Sequence, residues 1–127
     1  MCHQTVSLVA RHLEANGLPT VIMGAAKDIV EHCGVPRFLF SDVPLGNSAG
    51  RPHDVESQSL TLELALRVLE TAPAARTTVQ SPLRWNDDAQ WKLDYNNLER
   101  MTPEQLDERR KEFEAVKATI KDMPGRT

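Results

Sequence analysis

The sequence predicts an α/β protein, with part of a doubly wound parallel sheet, flanking helices and a C-terminal helical tail. Three observations predict this class. Segments with helical spacing of apolar residues alternate with short β-branched runs, the connections are brief, and glycines stand where elements should end. Such alternation is typical of parallel strands joined by helical crossovers, as in Rossmann- and flavodoxin-like folds.

The first predicted helix and strand open the chain. Val6, Val9, Ala10 and Leu13 recur at helical spacing, and Gly17 stands where that helix should stop. The next run, P-T-V-I-M-G, is β-branched and lies between a proline and a glycine. It therefore indicates a short buried strand.

A second helix and strand come next, and then a long loop. The run A-A-K-D-I-V-E-H-C-G predicts a short helix ended by Gly34, and R-F-L-F-S-D predicts a strand. Residues 46–54, G-N-S-A-G-R-P-H-D, form a loop because glycines and proline oppose regular structure. Asp54 is typical of an N-cap. The helix after it should bury a stripe made of Leu62, Ala65, Leu66 and Leu69, widened by Leu60, Leu64 and Val68.

The number of predicted strands is too small for a stable sheet. The order is helix, strand, helix, strand, long loop and helix. We therefore expect a further strand before Cys2, supplied by another chain or by a longer protein of which this is the C-terminal part.

Composition divides the chain after about residue 72. Residues 1–72 form the predicted α/β core, and residues 73–127 form a linker and a charged helical tail that packs on the core or on a partner. Thr102, Pro103 and Gln105 together predict a helix start with a capping box, and the helix should run to about Lys121. Its thin apolar stripe comprises Leu106, Phe113, Val116 and Ile120, and the linker should be anchored by Trp85, Trp91 and Tyr95.

Composition and charge narrow the classes of function. The 127 residues carry a formal net charge of -3 and are 40% hydrophobic and 26% charged, which is ordinary for a globular domain. The sequence has no basic footprint for nucleic acid or an anionic membrane surface, and no apolar run of membrane-spanning length. Two cysteines without a secretion signal predict a reducing, cytoplasmic setting in which thiol chemistry or burial replaces a stable disulfide.

The pair Cys2-His3 is the first candidate for catalysis. A helix start presents unpaired N–H groups and a partial positive charge, which favour a thiolate over a thiol. The neighbouring His3 could add charge or move a proton. The alternative is an inert residue on a frayed chain end, because termini are often poorly ordered.

Cys33, beside His32, is a weaker candidate. A buried free cysteine behaves as a small apolar residue, so core filler is the simpler interpretation. Adjacent Cys-His pairs seldom bind one metal together, and no C-x-x-C spacing is present. We therefore expect no metal site.

The loop of residues 46–54 is the candidate substrate site. It lies after a strand and opens a helix, the place where open α/β sheets bind ligands. The glycines allow close approach, the polar side chains offer hydrogen bonds, Arg51 suits a carboxylate, and the histidine suits acid–base work. The candidates are Gly46, Asn47, Ser48, Gly50, Arg51 and His53. The pattern is neither a Walker A loop nor G-x-G-x-x-G, so no nucleotide or other cofactor is expected, and a purely structural loop remains the alternative.

Three ordered stretches together resemble a known family. They are C-H-Q-T-V-S-L-V-A-R-H-L-E-A-N-G-L-P-T-V, then A-K-D-I-V-E-H, then P-R-F-L-F-S-D-V-P-L-G-N-S-A-G-R-P-H-D. They resemble the C-terminal half of the glycine/sarcosine/betaine/D-proline reductase selenoprotein B family, in particular its cysteine-containing, selenium-free members. The likeness covers residues 2 to about 70, and S-P-L-R-W-N-D-D resembles the next segment of such members.

The resemblance implies a redox-active thiol in an oxidoreductase subunit of the glycine reductase type. Such enzymes cleave a C–N bond of an amino-acid-like substrate with a disulfide in the electron couple, and Cys2 matches the family's thiol before the helix. The family's N-terminal half and second upstream thiol have no counterpart here. The resemblance therefore implies partners: other reductase subunits, or an N-terminal half supplied by another chain. A non-catalytic module that docks to a partner through its sheet edge is the alternative.

Overall fold

The structure is a computed structural model that describes residues 1–94 and 101–121. Helices and strands alternate through most of the described chain, which confirms the predicted α/β class. The elements are α1 (Cys2–Ala15), β1 (Ile22–Gly24), α2 (Lys27–Cys33), β2 (Arg37–Phe40), α3 (Val55–Thr71), β3 (Thr77–Gln80), α4 (Trp91–Asp94) and α5 (Pro103–Lys121).

The three strands form one parallel sheet with β2 in the centre. Ile22 pairs with Phe38, and Phe38 with Thr78, so all three strands end at the same edge. The strand β3 was not predicted from the sequence. Its residues T-T-V-Q fall in the segment expected to be a linker, and this segment supplies the third strand of the described sheet.

Successive residues of β2 point to opposite faces of the sheet, and each face has its own apolar cluster. Phe38 packs with Ile22 and with residues of α1 and α2, in a cluster that contains Ala10, Val30 and Val35. Leu39 packs on the other face against Ala65 and Val68 of α3. Both side chains are almost fully buried, at 1% and 0% exposure. The central strand is therefore covered on both sides, as in doubly wound sheets.

The buried stripe of α1 differs from the predicted one. Ser7 and Ala10 are buried, whereas Val6 and Val9 are 44% and 52% exposed. The Ser7 hydroxyl donates to the carbonyl oxygen of His3 at 2.6 Å, so its burial leaves no unpaired polar group. The hydrogen bond within the helix therefore allows this polar residue to face the core.

The same departure occurs in α3. Its buried residues are Ser57, Thr61, Ala65 and Val68, while Leu62 and Leu66 are 53% and 50% exposed. The Thr61 hydroxyl donates to the carbonyl oxygen of Ser57 at 2.8 Å, which satisfies it inside the protein. The prediction is therefore confirmed for Ala65 and Val68, with Leu64 packed beside them, and wrong for Leu62 and Leu66.

The predicted helix ends are confirmed. Gly17 and Gly34 have φ values of 81° and 75°, in the left-handed region that favours glycine just after a helix. The Asp54 carboxylate accepts a hydrogen bond from the Ser57 N–H at 3.1 Å, as an N-cap should.

The chain separates into two compact units, residues 1–87 and residues 88–127. In the second unit Pro103 starts α5, and Thr102 and Gln105 form the predicted capping box through two reciprocal hydrogen bonds of 3.0 and 3.3 Å. Leu106 and Phe113 are 38% and 65% exposed. The predictions for Tyr95 and for the side chains of Val116 and Ile120 lie outside what the structure describes. Within residues 1–94 and 101–121, no helix is both long and apolar enough to cross a membrane.

Candidate functional site

The carboxyl ends of the three strands define the edge where the candidate residues gather. Gly24, Phe40 and Gln80 end the strands. The ladder continues for one residue beyond them, because the Ser41 N–H donates to the Gly24 carbonyl oxygen and the Ser81 N–H to that of Phe40. The loop of residues 46–54 comes after β2 at this edge, which is the ligand-binding edge of open α/β sheets.

Cys2 is the first residue of α1, as predicted, with Met1 in the N-cap position. Its side chain is exposed and its thiol is free. The Thr5 N–H donates to the Met1 carbonyl oxygen at 3.0 Å, which closes the first turn behind the cysteine. Among the described residues no side chain caps this helix start. The thiol therefore stands at the uncapped positive end of a helix of 14 residues.

His3 is held against the end of β1 by its imidazole. Its Nε2 atom accepts hydrogen bonds from the backbone N–H groups of Ala25 and Ala26 at 3.0 and 3.3 Å. An accepting Nε2 carries no proton, so the neutral ring carries its proton on Nδ1. The imidazole joins α1 to the β1–α2 turn, and its Nδ1–H remains available as a hydrogen-bond donor.

Gly24 makes room for this imidazole. A Cβ atom built on Gly24 would lie 3.0 Å from Cδ2 of His3 and 3.1 Å from Cε2 of Phe38. Any larger residue would push the ring away from its two amide donors. The sequence pattern indicated Gly24 only as the end of a strand, so its part in seating His3 was not predicted.

Cys33 lies at the far end of α2 from His3. It is the last residue of that helix, half-buried and free, and borders a shallow groove with Gln4, Ile29 and His32. In the described residues no three His, Cys, Asp or Glu side chains gather in a metal-binding arrangement.

The two glycines of the 46–54 loop have different roles. Both adopt positive φ, 94° at Gly46 and 107° at Gly50. A Cβ on Gly50 would lie 2.8 Å from the Cα and N atoms of Gln58, whereas one on Gly46 would meet no described atom within 4 Å. Gly50 therefore lets the loop lie directly on the first turn of α3.

Arg51 is fastened at both its backbone and its side chain. Its N–H donates to Ser57 Oγ at 2.9 Å, and its carbonyl oxygen accepts from Gln58 Nε2 at 2.8 Å. Its guanidinium donates to the carbonyl oxygens of Arg84 and Trp85 at 2.5 and 2.6 Å and lies 5.8 Å from the centre of the Trp85 ring. No carboxylate among the described residues forms an ion pair with it. Trp85 is thus anchored as predicted.

The remaining candidates in the loop are Asn47, Ser48 and His53. Asn47 is half-buried and donates through Nδ2 to the Pro44 carbonyl oxygen at 3.2 Å. Ser48 is half-buried, and His53 is exposed with a φ of 60°. A positive φ at a residue that is not glycine is uncommon and strained.

A small cavity of about 10 Å³ brings part of this loop together with residues that were not among the predicted candidates. Asn47, Gly50 and Arg51 line it from the loop, and Trp85 lines it from the segment after β3. Its other polar lining residues are Ser41, Ser57, Thr61 and Arg84. The only sequence signal for Ser41 was its position directly after a buried strand.

The comparisons with known proteins relate the chain to a reductase. Over 84 residues, 66% of this chain, the sequence is 33% identical to the D-proline reductase subunit gamma of Acetoanaerobium sticklandii. The match covers 35% of that protein, so the chain spans about a third of the length of the curated relative. No family model matches the chain. No solved structure shows a significant match.

Proposed function

We propose that this protein is a thiol-dependent subunit of a reductase that cleaves the C–N bond of a small amino-acid-like substrate. The specific type is a cysteine-containing member of the glycine/sarcosine/betaine/D-proline reductase selenoprotein B family. The observation that carries the proposal is the exposed free thiol of Cys2 at the uncapped start of α1. The 33% identity to a D-proline reductase subunit supports it.

The proposed reaction consumes two thiols for each C–N bond. The sulfur of Cys2 attacks the α-carbon, so that a C–S bond forms, the C–N bond breaks and the amine leaves with a proton. A second thiol then attacks that sulfur and forms a disulfide, and the released carbon takes up a proton. The substrate gains two electrons and two protons, and the thiol pair loses the same number.

The second thiol comes from a partner chain in this proposal. A resolving thiol must reach the first sulfur directly. In the structure Cys2 and Cys33 are both free thiols. The protein would therefore act in a reducing, cytoplasmic complex with other reductase subunits.

Arg51 is the proposed contact for the substrate carboxylate. Its guanidinium has five N–H donors, and two backbone carbonyl oxygens are its acceptors in the structure. A carboxylate is a stronger acceptor for guanidinium than a carbonyl oxygen, so a bound substrate can replace these contacts. The Nδ1–H of His3, the ring group that is not held by backbone amides, is the proposed hydrogen-bond donor to the leaving nitrogen, which takes its proton from solvent.

Exchange of the two cysteines tests this function. The protein, assembled with its partner subunits from the source cells, is supplied with D-proline and dithiothreitol, and release of 5-aminopentanoate is measured. We expect Cys2→Ser to reduce turnover to the uncatalysed background, because a hydroxyl is a far weaker nucleophile than a thiolate. The matched control, Cys33→Ser, should keep turnover within a few-fold of the unaltered protein. Equal turnover in all three proteins would end the proposal.

A second candidate function, a docking module without chemistry of its own, is favoured by the exposed apolar residues. Val9 of α1 and Leu62 and Leu66 of α3 are half exposed, and β2 is the only described partner of β1. An open strand edge flanked by apolar side chains is suited to receive a strand of another chain. Loss of turnover in Cys2→Ser, with assembly into the complex unchanged by light scattering, would exclude this alternative.

A further inference from the structure

The strand β1 has an open edge in the described sheet. β2 is its only described partner, and the Gly24 carbonyl oxygen points toward β2, because it accepts from the Ser41 N–H. Backbone groups of successive strand residues alternate in direction, so the N–H and carbonyl oxygen of Met23 point toward the open edge. Residues 21–24, V-I-M-G, contain neither a charge nor a proline, which commonly protect edge strands. The edge is therefore free to pair with a further strand.

The helices α1 and α2 share one face of the sheet but cover different parts of it. α2 lies toward β3, because the Thr78 hydroxyl donates to the Glu31 carboxylate at 3.0 Å. α1 lies toward β1, because its His3 imidazole accepts from the Ala25 N–H, directly after that strand, at 3.0 Å. The side of α1 that is turned away from α2 therefore overhangs the open edge.

Val6 and Val9 lie on this overhanging side. Ser7 and Ala10 are the buried residues of α1, and Gln4 lies on the α2 side, where it lines a groove with residues of that helix. Successive helix residues are turned by about 100°, so Val6 and Val9 lie on the other side of the buried residues from Gln4. They are 44% and 52% exposed. The overhang is therefore apolar.

On the other face of the sheet, α3 has an apolar side beside the same edge. Leu62 lines an open groove of about 300 Å³ with Met23 of β1, so this side of α3 lies next to β1. Leu66 follows one turn later on the same side. The two leucines are 53% and 50% exposed. The space beside β1 that is bounded by Val6, Val9, Leu62 and Leu66 is named the edge slot.

The edge slot suits a strand that is apolar on both faces. A strand that pairs with β1 lies about 4.8 Å from it, with α1 on one face and α3 on the other. Strands that are covered on both faces are characteristic of parallel sheets and have nearly continuous apolar sequences. The slot therefore favours a parallel strand rich in Val, Ile or Leu.

The strands of a second copy of this chain do not have this character. In β1, Ile22 already packs with Ala10 of its own α1, and Met23 packs with the cluster under its own α3. The residues of β3, T-T-V-Q, are mostly polar and are half-buried or exposed. The match to the D-proline reductase subunit gamma covers 35% of that protein, so most of the relative lies outside it. A chain like that remainder is the better source of the strand.

We propose that the edge slot receives a parallel, apolar strand of a partner chain, and that this partner resembles the part of the reductase subunit outside the match. The strand pairs with the backbone of Met23 and packs between the valines of α1 and the leucines of α3. The proposal deepens the docking candidate given above, since it names the direction of the strand, its apolar faces and its contacts. It rests on the proposed reductase relationship only for the identity of the partner.

Site-specific photo-crosslinking tests the slot. The full-length protein, with p-benzoylphenylalanine in place of Val9, Leu66 or Leu8, is produced in the source cells and irradiated, and mass spectrometry identifies the linked peptides. We expect positions 9 and 66 to link to the same apolar segment of one partner chain, because they contact its two faces. Leu8 is the matched control, since it is 49% exposed on the same helix but lies on the Gln4 side. Position 8 should not link to that segment.

Hydrogen exchange separates strand pairing from other modes of docking. We expect exchange of the Met23 N–H to slow at least about tenfold in the purified complex relative to the isolated protein, because pairing protects it. Val9→Glu places a charge in the slot and should abolish this protection and the link from position 66. Leu8→Glu, an equally exposed change on the same helix, should retain both.

Four results would overturn the edge slot as proposed. They are links from positions 9 and 66 to a second copy of this chain, links to a chain unlike the reductase subunit, the same links from position 8, and unchanged exchange at Met23. The Cys2→Ser protein separates docking from chemistry. Docking lost in a protein whose Cys2 is reactive would refute the slot and retain the reductase function. Docking retained in a protein whose Cys2 proves inert would refute the reductase chemistry and retain the slot.

Discussion

At the scale of single residues, His3 shows how a candidate for catalysis can also be a structural link. Its position beside Cys2 suggested a source of charge or a proton carrier. In the structure its Nε2 atom accepts from the Ala25 and Ala26 N–H groups, and Gly24 provides the space for the ring. The imidazole therefore fixes the start of α1, and with it Cys2, to the carboxyl end of β1.

Removal of the imidazole should destabilise the fold. His3→Ala leaves the N–H groups of Ala25 and Ala26 without their acceptor, which we expect to cost about 1–3 kcal/mol in the free energy of unfolding. His3→Gln is the comparison variant, because its amide oxygen can accept from the same donors and should recover part of the loss. Urea unfolding measures both changes. Equal stability of His3→Ala and the unaltered protein would contradict the role assigned to this ring.

The two glycines of the 46–54 loop should differ in their tolerance of a side chain. Gly50→Ala places a Cβ 2.8 Å from backbone atoms of Gln58, while Gly46→Ala meets no described atom within 4 Å. Both positions have positive φ, so both variants carry a conformational cost of about 1 kcal/mol. We expect Gly50→Ala to lose at least about 1 kcal/mol more than Gly46→Ala in urea unfolding, because the α3 backbone must move. Matching losses would show that the loop does not rest on α3 in this way.

At the scale of elements, α1 is tied to the central strand through Glu14. Its carboxylate forms an ion pair with Arg37 of β2 at 2.6 Å and accepts from the N–H and hydroxyl of Thr20. Burial raises the pKa of Glu14, but the hydrogen bonds from Thr20 and the charge of Arg37 outweigh it. The pKa is therefore lowered from the ordinary value of 4.5. The tie depends on a charged Glu14.

The stability of the fold should depend on pH through this carboxylate. A carboxylate whose pKa is lower in the folded state stabilises the fold at pH values above its unfolded-state pKa of about 4.5. This stabilisation is lost as the pH falls through the folded-state pKa. We expect Glu14→Gln to reduce the difference in unfolding free energy between pH 7 and pH 4. Glu63→Gln, which breaks the exposed pair with Arg67, should leave that difference unchanged. Indistinguishable pH profiles for Glu14→Gln and the unaltered protein would contradict the tie.

Local signals predicted the helix ends well but not the helix faces. Gly17, Gly34 and Asp54 act through their own backbone and side chain, so their roles can be inferred without the fold. Whether Val6 or Ser7 faces the core depends on how closely α1 approaches α2, which a sequence pattern does not contain. The hydroxyls of Ser7 and Thr61 donate within their own helices, so these polar residues can be buried. A pattern of apolar residues therefore does not show which face of the helix is packed.

The strand β3 was missed for a related reason. Its residues T-T-V-Q are half-buried or exposed, so they lack the apolar run that indicated β1 and β2. Their strand conformation depends on pairing with β2, from Arg37 with Thr77 to Phe40 with Gln80. Pairing with a distant segment therefore determines the strand conformation of these residues. The Pro/Ala stretch before them predicted a linker instead.

At the scale of the whole molecule, the sheet edge joins the two parts of the candidate site. The resemblance pointed to Cys2, and the position of the 46–54 loop after a strand pointed to a substrate site; the fold places the His3 contact and the loop at the carboxyl ends of neighbouring strands. The sequence did not predict that Ser41 and Trp85 line the cavity beside this loop. Their place there depends on contacts between residues distant in the chain.

The proposed function depends on Cys2 as the reactive thiol, and site-resolved alkylation tests this most directly. The native protein is treated with limiting iodoacetamide at pH 7, and modification of each cysteine is followed by mass spectrometry of its peptide. We predict that Cys2 reacts at least about tenfold faster than glutathione, because its exposed thiol stands at the uncapped positive end of α1. A Cys2 rate equal to that of glutathione under the same conditions would contradict this role.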